Sequence, residues 1–365
     1  MLVLASFRPR PMNLAAVADP ALLSAASALP PHYVGQEELL AALRARWSGH
    51  HFNLDRLDQL HRAVGVEGRH LALPLADYEG LDSFAKANRA WVEVASALGE
   101  KAARLALDRA GLGPGDVDRI FFVSTTGIAT PSVDALLTNR LGLRDDVKRT
   151  PIFGLGCAAG VAGVARAADV LRAFPGEVAL LVSVELCSLT LQRDDFSIAN
   201  AIATGLFGDG AAAAVIAGAD RGSGPRIERT RSVFYPNTED VMGWNVVEGG
   251  LRIVLSAQIP SLVRERIGGD VDAFLRSSGV SRTDVRQWIC HPGGPKVLEA
   301  LAETLGLTRD ALARTWRTLE KVGNLSSASV LFVLEQTLEG AASGDTGLML
   351  AMGPGFSTEL VLLRW

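Results

Sequence analysis

Apolar positions recur with a helical period over two stretches in the first third of the chain. Residues 36–47 (QEELLAALRARW) and 83–110 (SFAKANRAWVEVASALGEKAARLALDRA) space their Leu, Ala, Val and Trp side chains as one buried helix face requires. Gly111 follows the second stretch where a left-handed cap would end it. The period then changes. RIFFVSTTG (119–127), VALLVSV (178–184) and TGLMLAM (346–352) are nearly continuous in apolar residues, which predicts strands covered on both faces. Residues 1–31 are apolar in part, but early Arg and Pro residues interrupt them. They read as strand and loop rather than as a secretory leader.

The pattern also repeats. RAGLGPGDVDRIFFV (109–123) aligns with SSGVSRTDVRQWICH (277–291) at an offset of 168, which places Gly111 on Gly279, Asp116 on Asp284 and Val117 on Val285. The same offset lays GCAAGVAGVARAADVL (156–171) on NLSSASVLFVLEQTLE (324–339), and the strand at 178–184 on that at 346–352. One offset serving helix, strand, helix and strand predicts a duplicated β/α unit, with halves at 1–224 and 225–365 packed as layers of sheet and helix. If a pseudo-dyad relates the halves, the helices that begin at Cys157 and Asn324 point at one region near the axis.

That geometry makes PIFGLGCAAGVAGVARAADVLRAF (151–174) the centre of the chain. Cys157 opens a helix, where unpaired N–H groups and the helix dipole favour a thiolate nucleophile. A buried packing cysteine is the competing reading. His291 ends a strand and enters the turn Pro292-Gly293-Gly294. It is the only histidine beyond His70, so a histidine partner for Cys157 is this one or comes from the first seventy residues. Taken singly, His291 could satisfy a strand end and Asn324 could cap a helix. Cys187 and Cys290 could be plain packing. GLFGDGAAAAVIAG (205–218) reads as an exposed glycine turn feeding a buried strand, with Phe207 at its lip. Convergence on one axis is what favours catalysis.

Composition narrows the classes. The chain has 365 residues, 48% of them hydrophobic, and a net charge of −4; no basic run marks a nucleic-acid partner. No apolar run is long enough to span a bilayer. Three cysteines without metal-type spacing argue for a reducing cytoplasm and against both a disulfide framework and a metal site. Arg44, Arg46, Arg56, Arg62 and Arg69 could hold an anionic group such as the phosphates of coenzyme A, but such a scatter is more often a solvated face.

The motifs GLGCAAG (154–160), LFGDGAA (206–212), HPGGPKVLE (291–299), GNLSSAS (323–329) and MGPGFSTE (352–359) together resemble the type III polyketide synthases, the chalcone synthase-like family, over essentially the full length. The resemblance implies a thiolase-like duplicated αβαβα fold. It implies Cys157 as nucleophile, His291 and Asn324 as its partners, and Phe207 as a gatekeeper. It further implies a homodimer in which Thr130, in TGIATPS (126–132), reaches the partner's cavity. The substrates implied are an acyl-CoA starter and malonyl-CoA, with no metal and no further cofactor. Cys187, Thr190, Trp244, Ile253 and Ser326 are the remaining candidate pocket residues. Ile253 stands where the family places a second gating phenylalanine, while MGWNVVEGG (242–250) and TGIATPS are similar to the bacterial branch. The related ketoacyl synthase III enzymes follow their histidine with Gln-Ala-Asn, where this chain has HPGG.

On this reading, the helix terminus and an imidazolium at His291 favour the Cys157 anion. His291 Nε2 and the Asn324 amide form an oxyanion hole for a decarboxylating malonyl thioester. A single-condensation ketoacyl synthase, a cysteine hydrolase using the same residue types and a non-catalytic scaffold are the alternatives. Ile253 in place of an aromatic gate, a short Thr130 and small residues nearby suggest a roomy tunnel. That expectation points to a medium- or long-chain fatty acyl starter giving an alkylpyrone or alkylresorcinol, although Trp244 takes back some of the room.

Overall fold

The computed structural model describes residues 18–49 and 53–365. The expected helices are present as Gln36–Trp47 and Phe84–Ala110. The second is capped at its start by the Ser83 hydroxyl and at its end by Gly111, whose φ of 67° only glycine adopts freely. Of the opening stretch read as strand and loop, residues 1–17 lie outside the described residues, and the part beyond them holds the first strand.

In the first half the strands are β1 (Ala21–Ala28), β2 (His32–Gly35), β3 (Gly68–Leu71), β4 (Arg119–Val123), β5 (Lys148–Ile152), β6 (Val178–Leu186) and β7 (Asp209–Ala217). The second half adds β8 (Arg226–Phe234), β9 (Met242–Val247), β10 (Gly250–Leu255), β11 (Val285–Cys290), β12 (Thr346–Gly353) and β13 (Ser357–Arg364). Nine of them run in the order β11-β12-β13-β8-β1-β7-β6-β4-β5. Apart from β5, which adds a parallel edge strand to the first half, the order reads alike from both ends: β4 and β6 are parallel, as are β11 and β12, and β7 and β13 close on them antiparallel. The halves meet where Ala21 pairs with Arg226. The 3-10 turns Pro114–Asp116 and Arg282–Asp284, 168 residues apart, carry matching aspartates, each accepting from a backbone N–H three residues earlier. The expected division at 224/225 falls in the connection between β7 and β8.

Three apolar cores lie between the layers. The helices Ala159–Ala173 and Ser329–Gly340 form the central one, packed between Leu181, Ala212 and Ala214 of one half-sheet and Met349, Ala351 and Val361 of the other. The helix Phe84–Ala110 covers the outer face of the first half-sheet. Phe274, Leu275 and Leu301 cover that of the second. The five layers are therefore α, β, α, β, α. This sandwiching explains the unbroken apolar runs: every residue of β6 and β7 is buried. It also explains the glycines of the central helix, since a Cβ at Gly160 would lie 2.2 Å from the Ser327 carbonyl oxygen and one at Gly163 would lie 2.6 Å from Leu181.

Two boundaries differ from expectation. The strand read as 119–127 stops at Val123, because the hydroxyls of Ser124, Thr125 and Thr126 turn to the buried Glu185 instead of extending the ladder. The glycine turn before β7 is buried rather than exposed: a Cβ at Gly208 would meet the Val322 carbonyl at 2.5 Å.

Candidate active site

The two central helices start later than the sequence suggests, at Ala159 rather than Cys157 and at Ser329 rather than Asn324. Cys157 sits in the 3-10 turn Gly156–Ala158 that leads into the first, and Asn324 precedes the matching turn Ser326–Ala328 before the second. Gly156 has a φ of 48° and lies under Pro354, so a side chain there would collide with the ring. Ser326 also has a positive φ, 47°, a strained setting for a residue with a Cβ.

These turns bring the expected residues together. Cys157, His291, Asn324 and Ser326 line one chamber of about 50 Å³. All four are buried, with Cys157 8% and His291 4% exposed. The Cys157 thiol donates to Ser326 Oγ at 3.6 Å. Asn324 Oδ1 accepts from the Ser326 N–H at 2.8 Å, which fixes the amide with Nδ2 as its donor end; Nδ2 donates one proton to the Gly293 carbonyl at 3.4 Å. Neither ring nitrogen of His291 finds a protein partner.

The electrostatics correct one expectation. Burial alone holds His291 down to about 3, so the resting ring is neutral and not an imidazolium. Burial also pushes the Cys157 thiol up to about 12; hydrogen bonds to Ser326 and Asn324 pull the other way, and the charge of Glu185 adds to the rise. Moving the thiol proton onto His291 makes a pair of zero net charge, which a dry chamber penalises far less than a lone ion.

A second cavity of about 140 Å³ adjoins the first. Phe207, Trp244 and Ile253 line both and form the wall between them. Trp244 and Ile253 are directly opposite across the β9–β10 hairpin, so the two side chains stand beside each other on one face of it. Cys187 and Thr190 line the second cavity. The Thr190 hydroxyl is spent on the Cys187 carbonyl, and burial keeps the Cys187 thiol protonated. Thr130 is exposed and lines neither cavity.

The reading of the arginines as a solvated face fails at Arg69, which is 1% exposed and lines the second cavity. Arg46 lines it as well and pairs with Glu79, and Arg44 pairs with Asp58. Sequence reasoning also missed Glu185. Buried in β6, it accepts from Thr125 N and Oγ1, Thr126 Oγ1 and Ser327 Oγ, and so joins the halves beneath Cys157. Its signal was a glutamate inside the apolar run VALLVSVEL. Among the described residues, no helix is long and apolar enough to cross a membrane.

Residues 11–221 match the N-terminal domain of the chalcone and stilbene synthases, and residues 226–365 match the C-terminal domain of that family. The chain belongs to the chalcone and stilbene synthase family. It is a type III polyketide synthase, an acyl-transferring enzyme. It is 50% identical, over 93% of its length and 91% of the relative's, to a 1,3,6,8-tetrahydroxynaphthalene synthase of Streptomyces peucetius subsp. caesius. It is 37% identical, over 94% of its length and 98% of the relative's, to a putative chalcone synthase of Bacillus subtilis (strain 168). The crystal structure of 1,3,6,8-tetrahydroxynaphthalene synthase from Streptomyces coelicolor A3(2), a bacterial type III polyketide synthase, superposes on this synthase with a TM-score of 0.90. That pair shares 34% identity, with 94% of this chain and 99% of the other covered.

Proposed function

We propose that this type III polyketide synthase uses Cys157 as its acyl carrier and His291 with Asn324 as its decarboxylation site. The observation that carries the proposal is the pair of unpartnered ring nitrogens on a buried His291, beside the Cys157 thiol and the fixed Asn324 amide. Buried polar atoms without a protein partner mark a place prepared for a ligand.

The chemistry follows from these groups. His291 takes the Cys157 proton onto Nε2 as the sulfur attacks a thioester carbonyl and keeps it there, while coenzyme A leaves as a thiolate that solvent protonates. Malonyl-CoA then enters with its thioester oxygen against His291 Nε2–H and Asn324 Nδ2–H. Loss of CO2 leaves the electron pair of the broken carbon–carbon bond on that oxygen as an enolate, which the two donors stabilise at about 3 kcal/mol of barrier each. The enolate carbon attacks the acyl carbonyl on Cys157. A carbon–carbon bond forms, the carbon–sulfur bond breaks, and the sulfur is free to take back the lengthened chain. Coenzyme A thioesters and these side chains carry every step.

We infer that the starter is small, with malonyl-CoA itself the best candidate, and that the product is a short polyhydroxylated aromatic. Trp244, directly opposite Ile253, adds a bulky ring to the wall between the cavities, and the second cavity carries Arg46, Arg69, Tyr78, Ser188 and Thr190 in its wall. The polar groups in that wall suit a chain with a carbonyl on every second carbon, while the leucines and Ile253 beside them are the surface an alkyl tail would use. The relative at 50% identity is named for a naphthalene with alternating oxygens, the pattern left by two-carbon units joined head to tail. A fatty acyl starter giving an alkylpyrone or alkylresorcinol is the second reading, favoured by Ile253 in place of an aromatic gate. Product masses from malonyl-CoA alone, and with acetyl-, hexanoyl-, lauroyl-, palmitoyl- and coumaroyl-CoA added, separate the two. A product from malonyl-CoA alone supports the small starter; condensation only in the presence of a long acyl-CoA overturns it.

A further inference from the structure

A cation buried on β3 is tied to the chamber through backbone alone. Arg69 donates to the Thr204, Gly205 and Phe207 carbonyls at 2.9, 2.6 and 3.0 Å, and to the Gln36 side chain. Those carbonyls end the helix Ile198–Leu206, where acceptors lack intrahelical partners and a cation complements the dipole. Gln36 holds the same end from the other side by donating to the Gly205 carbonyl at 3.1 Å. Immediately beyond, the backbone touches the second half of the molecule. Asn324 N donates to the Leu206 carbonyl at 2.9 Å, and Gly208 N donates to the Asn324 carbonyl at 3.0 Å, an isolated parallel bridge between Phe207 and Asn324. Glycines permit this approach, since a Cβ at Gly323 would lie 2.7 Å from the Leu206 carbonyl. Burial lowers Arg69 only to about 10, and the neighbouring Asp209 opposes the fall, so the guanidinium is charged at neutral pH.

We propose that Arg69 is a positioning residue for the condensation: by pinning the helix end at Thr204–Phe207 it sets both the Phe207 wall and, through the Phe207–Asn324 bridge, the Asn324 amide. The role rests on the reading of Asn324 as a decarboxylation donor. Lysine keeps the charge but cannot reach three carbonyls in one fork. Malonyl-CoA decarboxylation should therefore fall about tenfold in Arg69→Lys, several-fold more than acylation of Cys157 read by intact-protein mass, which depends on the cavity wall but not on the Asn324 amide. Coupling is tested by a double-mutant cycle: in an Asn324→Ala background the same change should cost less than about twofold further. Loading that falls in step with decarboxylation, or a tenfold loss that persists without the Asn324 amide, overturns the role. Undiminished decarboxylation in Asn324→Ala alone overturns the reading of the site, and this role with it. Should Arg69→Lys fail to fold, Gln36→Met removes the cation's side-chain acceptor and should show the same split at about threefold; equal losses in both steps would again refute the role.

Discussion

Acidification tests the electrostatics of the site through His291. An unfolded chain protonates this ring near 6.5, whereas burial holds the folded ring down to about 3. The folded pKa is depressed, so the stability tied to the neutral ring is complete above pH 6.5 and is lost as the pH falls towards 3. At about 1.36 kcal/mol per pH unit, the loss between pH 6.5 and pH 4 comes to roughly 3 kcal/mol. His61, held down to about 4 by burial and by Arg69, erodes stability in the same direction. Asp209, held up to about 6 by burial, runs the other way, since a raised carboxyl loses its contribution as the pH climbs through 6. Both groups persist in His291→Gln, so the difference between the two proteins isolates His291. Urea unfolding followed by tryptophan fluorescence from pH 7 to pH 4 should show the wild type losing about 3 kcal/mol more than the variant. Parallel profiles would refute the buried neutral ring.

Other outcomes follow from the same geometry. Cys157→Ala should form no acyl-enzyme by intact-protein mass spectrometry, because neither Cys187 nor Cys290 lines the chamber that holds His291 and Asn324. Gly160→Val should lower the melting temperature or abolish folding, since its Cβ would meet the Ser327 carbonyl at 2.2 Å; overpacking of this kind typically costs about 1–3 kcal/mol. Trp244→Ala should merge the two cavities and shift specificity constants towards longer acyl-CoA starters, with Cys157 loading by short ones retained. A homodimer, with Thr130 on the surface that faces the partner, should appear as a dimeric mass in light scattering at micromolar concentration.

The layered fold was legible because the duplication is written twice. Asp116 and Asp284 cap matching turns, and the apolar runs of β6 and β12 need cover on both faces. The convergence of Cys157, His291 and Asn324 was legible for the same reason, as it follows from two equivalent helix starts meeting at one axis. The protonation state of the pair was not. A helix terminus argues for a thiolate, but the chamber's dryness is a tertiary property and outweighs it. Arg69 was illegible too: its acceptors are carbonyls more than a hundred residues away, so neither charge nor spacing reveals them. Trp244 and Ile253 show the same limit, because only the register of β9 on β10 sets them side by side in the cavity wall. Glu185 could have been found, since a carboxylate amid apolar strand residues needs donors, and Thr125 and Thr126 supply them across the adjacent strand end.

The central claim is that His291 and Asn324 stabilise the enolate that malonyl-CoA leaves behind, separately from the loading of Cys157. Release of labelled CO2 from carboxyl-labelled malonyl-CoA measures that step directly, alongside intact-protein mass for acylation. The account predicts that His291→Ala abolishes CO2 release. Asn324→Ala should slow it by about two to three orders of magnitude, the cost of removing one oxyanion donor, while still loading a starter on Cys157. Wild-type rates of CO2 release in both variants would contradict it.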